Sequence, residues 1–131
     1  MKTDIDIKDD IYLFIKGSVL ESSVTGKLTK RNRPKGSYLE DIVISVLANQ
    51  NGQIQEAFVN VNVYVHDIDV DGQFEEDTIR LRELCKVCET VLNLGRGSDF
   101  RFVLDSQRVM KVNGKNEHFI NNRLRYMQCN E

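Results

Sequence analysis

Histidine occurs only twice and cysteine only three times in this chain of 131 residues, and each shortage closes off a class of function. Three is an odd number of cysteines, and Cys85 and Cys88 sit three residues apart, so a disulfide framework is not expected and the compartment reads as cytosolic. Two scattered histidines do not make a catalytic or zinc-ligating set. No long apolar run approaches the ~18 residues a membrane span needs. The opening MKTDIDIKDD alternates charge with isoleucine and lacks the form of a secretory signal. An excess of basic charge is missing too: Lys and Arg number 18 against 20 Asp and Glu, for a formal charge of −2. No global positive field is therefore available to hold nucleic acid. There is no phosphate-binding G-x-x-x-x-G-K-[ST] stretch and no serine in a G-x-S-x-G setting. Tryptophan is absent and proline occurs once.

What is present has an ordinary globular balance, 40% hydrophobic and 29% charged, in a length suited to one domain spanning residues 1–131. From Ile7 to Val24 the pattern is helical, with Ile11, Phe14 and Ile15 on one face, a break at Gly17 and a second short turn capped by Ser18. A short strand and a basic loop, KRNRPKGS, follow. DIVISVLA (Asp41–Ala48) is apolar on both alternating faces except at Ser45, so both faces are expected to be covered. Asn51-Gly52, within NQNGQ (Asn49–Gln53), signals a hairpin turn. The return strand then places Val59, Val61, Val63 and Val65 on one face and Asn60, Asn62, Tyr64 and His66 on the other. The long helix carries Leu81, Leu84, Cys85, Cys88, Val91 and Leu92 at spacings of three and four, and Gly95 is its expected stop, with LGRGSDF as cap and turn. DFRFVLDSQRVMKV reads as a strand bent near Ser106, and Asn113-Gly114 turns it into the last strand. The fold class is α+β: an antiparallel or mixed sheet of about five strands, one long helix packed on it and an N-terminal helix, in the order α-β-β-β-α-β-β.

Three motifs invite a chemical role. In DIDVDGQFEED, Asp67, Asp69, Asp71 and Gly72 match the first half of a calcium loop, but position twelve is Thr78, which cannot close the shell as a bidentate glutamate does. The favoured reading is a turn from strand to helix whose acids suit the helix N-terminus; the three aspartates stand as a calcium candidate and no other metal or cofactor is expected. CKVC lies mid-helix on the apolar stripe, which fits buried structural cysteines better than a redox pair. In the basic loop, Arg31, Arg33 and Lys35 could meet phosphate or an acidic protein neighbour, although a solvated, flexible loop is the plainer reading. No set of groups here supports an enzyme.

The stretch from Lys16 to Val65, with VTGKLTKRNRP, then Glu40-Asp41 leading into IVISVL and the long alternating strand, resembles the front half of tail-completion, or tail-terminator, proteins of tailed phages and prophages. The ending EHFINNRLRYMQC resembles their final strand. The resemblance implies an α+β subunit that performs no reaction and assembles as a homo-oligomeric ring, commonly six-fold. Such a ring caps the tail tube protein and offers a surface to the head–tail connector proteins. The implied setting is the bacterial cytoplasm during assembly and then the virion tail, with no membrane and no nucleic-acid partner. On this reading Arg31, Arg33, Lys35, Asn60, Asn62 and Tyr64 are the candidate subunit or partner contacts. The alternatives are another connector, neck or minor tail protein, or a small calcium-binding module built on Asp67–Asp71.

Overall fold

The computed structural model describes residues 1–52 and 54–129; the expected turn residue Gln53 lies outside these. Helix α1 (Asp4–Ile15) begins earlier than the apolar pattern suggests, because Thr3 and Asp6 form a reciprocal capping box. That box satisfies two of the N–H groups a helix leaves open at its start. Ile7, Ile11 and Ile15, one above the other on a single face, are its buried residues. After Gly17 a short α2 (Val19–Ser23) buries Leu20, and Ser18 stands at its N-cap without a side-chain bond.

Six strands form the main sheet in the spatial order β1-β2-β3-β8-β7-β6. They are β1 (Leu28–Thr29), β2 (Ile42–Gln50), β3 (Glu56–His66), β6 (Leu94–Arg96), β7 (Phe100–Lys111) and β8 (Glu117–Gln128). Among the described residues only the β1–β2 pair is parallel. The central pairing joins β3 to β8 over its whole length, from Glu56 opposite Met127 to His66 opposite Glu117. Register shifts interrupt β2 between Val46 and Ala48 and β7 between Leu104 and Ser106. The second is the bend expected near Ser106, and bulges of this kind raise local twist.

The alternation of β3 is realised in full: Val59, Val61, Val63 and Val65 are buried, each contributing on the order of 2 kcal/mol of burial. They meet Ile120, Leu124, Tyr126 and Phe102 across the sheet, under α1 and α3 (Thr78–Leu92). All three helices lie on this face; among the described residues no helix covers the other.

Four expectations are corrected. The α+β class holds, but strand number and order differ, because three three-residue strands, two of them forming an additional hairpin, escape the pattern. β2 is buried at Ile42 and Ile44 only, with Ser45 and Leu47 exposed, so one of its faces is open. The acidic stretch is no simple strand-to-helix turn: β4 (Ile68–Val70) and β5 (Gln73–Glu75) pair as a separate hairpin around Asp71-Gly72. Both turn residues have positive φ, the requirement of a tight two-residue hairpin that Asp-Gly meets at low strain. Finally, Gly95 does not stop α3. The helix ends at Leu92 with Asn93 as its C-cap, and Gly95 sits within β6 opposite Phe102. A Cβ there would lie 2.3 Å from the Phe102 ring and 2.7 Å from that of Phe14; the glycine is needed for close approach.

Candidate partner-binding face

The helix-free face of the sheet is built by the alternate residues of β3 and β8. Because the two strands pair without a slip, Phe58, Asn60, Asn62 and Tyr64 stand opposite Arg125, Arg123, Asn121 and Phe119. Asn121 Nδ2 donates to the Oδ1 atoms of both Asn62, at 2.7 Å, and Asn60, at 3.2 Å. The Arg123 guanidinium lies 4.1 Å from the centre of the Phe58 ring, and Tyr64 packs at a tilt on Phe119, 5.5 Å between centroids. Apart from the exposed Arg125, these side chains are half-buried among themselves, so the face is ordered before any partner arrives. Arg123 Nε is enclosed with no hydrogen-bond acceptor in reach among the described residues; an Asp105 carboxylate oxygen is 3.6 Å away.

One end of this face is closed by the basic loop. The Arg33 guanidinium stacks 4.1 Å over the Tyr64 ring. Its Nε donates to Asp41 Oδ2 at 2.8 Å, while Nη1 and Nη2 donate to the two Glu117 oxygens at 2.7 and 2.5 Å. Both carboxylates are inside the protein, 1% and 0% exposed. Burial opposes the charge on Asp41, but donors from the Ser37 hydroxyl, Arg33 and the Lys27 N–H overcome it and hold its carboxyl below the usual range. Burial likewise works against the Arg33 cation and is outweighed by Glu117 and Asp41, which raise its pKa.

The six candidate contact residues therefore divide. Asn60, Asn62 and Tyr64 lie together on the open face, whereas Arg31 and Lys35 are exposed on the loop. Arg33 is turned inward and anchors that loop. Phe58, Phe119, Asn121 and Arg123 complete the face and were not singled out from sequence; the alternation in EHFINNRLRY, read against that of β3, carries the signal.

The aspartates of the acidic stretch diverge. Asp67 is buried, with its Oδ1 2.7 Å from His118 Nδ1 and Lys111 Nζ 3.7 Å from its other oxygen. Asp69 Oδ1 accepts the Gly72 N–H at 2.8 Å, and Asp71 forms the turn. Among the described residues no group of three or more His, Cys, Asp or Glu is placed to hold a metal ion. Cys88 lies in the core, where burial pushes its thiol up to about 12, while Cys85 is partly exposed. No helix among the described residues is long and apolar enough to cross a membrane. No family model matches this chain, and no curated protein does.

Proposed function

We propose that the chain is a structural assembly protein of a tailed phage, a tail-completion or tail-terminator subunit that acts by fitting to other subunits and performs no reaction. The observation that supports it most is the two-sided sheet. One face holds the core and every helix. The other presents an array of Asn60, Asn62, Tyr64, Phe119, Asn121 and Arg123 that no helix among the described residues covers. Tyrosine, phenylalanine and arginine are the residue types enriched where protein partners meet, and asparagine adds hydrogen bonds to their rim. In this reading the subunits form a ring, commonly of six, on the end of the tail tube, and the ring presents a surface to the head connector.

The test is deletion of the gene from the phage genome, followed by electron microscopy of the tails. Tails of uncontrolled length are expected; tails of normal length would overturn the reading.

A further inference from the structure

The β4–β5 hairpin stands apart from the main sheet, pairing only with itself. A two-stranded hairpin is marginal in water unless it packs on something, yet Ile68, Val70 and Phe74 are 44, 39 and 45% exposed. Around them stand Asp69, Asp71, Glu75 and Glu76, with no lysine or arginine anywhere from Asp67 to Ile79. The hairpin is thus both apolar and acidic.

Its complement exists elsewhere on the same chain. Beside the edge strand β6, a groove of about 550 Å³ is lined by Phe14, Leu94, Gly95, Arg96 and Arg101. Leu94 is 68% exposed, and the two arginines make the groove apolar and basic. The hairpin leaves the sheet at the His66 end of β3. The groove flanks Arg101, which pairs with Met127, which in turn pairs with Glu56 at the opposite end of β3. At ~3.3 Å per residue, the 11 residues of β3 separate the two ends by roughly 35 Å. A subunit cannot place its own hairpin in its own groove.

We propose that the β4–β5 hairpin of one copy docks in the β6 groove of a second copy. Ile68, Val70 or Phe74 would cover Leu94 and Phe14, and Glu75 would face Arg96. Because donor and acceptor surfaces differ, the contact is head-to-tail and propagates from copy to copy, closing into a ring where the rotation permits. The proposal rests on the assembly reading above and names the surface that carries it.

The experiment measures molar mass by light scattering, from micromolar to near-millimolar protein, for the full chain, Glu75→Lys, Arg96→Glu and the double variant. Both positions are exposed, and circular dichroism with a urea midpoint verifies that each variant folds. The full chain is expected to associate, and each single reversal to weaken association at least about tenfold by setting like charges together. The double variant restores an opposite pair across the contact and returns affinity to within about threefold of the original. A full chain that stays monomeric throughout, singles that associate unchanged, or a double as weak as the singles would each overturn the docking. Tail length in the gene deletion is read independently, so uncontrolled tails with unaffected Glu75→Lys association would remove the docking and leave the assembly reading in place.

Discussion

Replacing Arg33 by alanine removes one cation from between two buried carboxylates. In the native protein its fork satisfies both oxygens of Glu117 and one of Asp41. Truncation leaves Asp41 with the Ser37 hydroxyl at 2.6 Å and the Lys27 N–H at 2.8 Å. It leaves Glu117 with Lys115, whose Nζ is 3.8 Å away. Breaking a buried pair from one side costs about 3–5 kcal/mol; the surviving partners place this case at the lower end, near 3 kcal/mol. Loss of the stack on Tyr64 adds on the order of 0.5–1 kcal/mol. With a urea m-value of about 2 kcal/mol/M, the unfolding midpoint falls by roughly 1.5–2 M. The pH dependence follows from Asp41. A carboxyl whose folded pKa lies below its unfolded value stabilises the fold above the unfolded pKa, and that contribution is lost as pH falls through the folded pKa. Alanine at 33 removes one cause of the depression and leaves the burial. The stability difference between native and variant should therefore be largest at neutral pH and shrink only as pH falls below the ordinary carboxyl value of 3.8. A loss under about 1 kcal/mol at pH 7, or one that stays the same as the pH is taken well below 3.8, would refute the account of Arg33 as the loop's anchor.

Two further outcomes follow from the core. Gly95→Ala forces a methyl into the Phe102 and Phe14 rings and should destabilise the fold by about 1–3 kcal/mol, read as a lower urea midpoint; a neutral substitution would mean that β6 shifts freely. Cys88, buried with its thiol near 12, carries roughly one part in ten thousand thiolate at pH 8 and should react with a thiol reagent only on unfolding, as mass spectrometry of labelled peptides would report; prompt native labelling would contradict its place in the core.

The long elements were legible because their burial is periodic. β3, β8 and α3 follow from alternation or from spacings of three and four, and the bend near Ser106 was marked by polar residues inside an apolar strand. The short elements were not. Leu94–Arg96 is too brief for any period, and its glycine looks like a helix stop because the residue that demands it, Phe102, is supplied from another strand. The Asp71-Gly72 pair carried a turn signal, but with three residues on either side it read as a turn from strand to helix and not as a hairpin. The basic loop shows a different limit. Nothing local distinguishes Arg33 from Arg31 or Lys35; what separates them is Glu117, brought alongside by the pairing of β3 with β8.

That pairing also governs how the protein is made. The strand at the heart of the sheet, β8, follows β3 only after everything from 67 to 116 has been synthesised. Until it emerges, β3 has β2 on one edge and an open row of peptide groups on the other, with a line of valines beneath. The helix-free face cannot assemble either, since half of it belongs to β8. A ribosome that stalls in the β7–β8 turn would hold a nascent chain presenting a sticky, unpaired strand edge, the kind of surface that chaperones guard. Completion of the fold is thus a late, nearly all-or-none event, and the chain gains its core and its candidate partner surface in the same step.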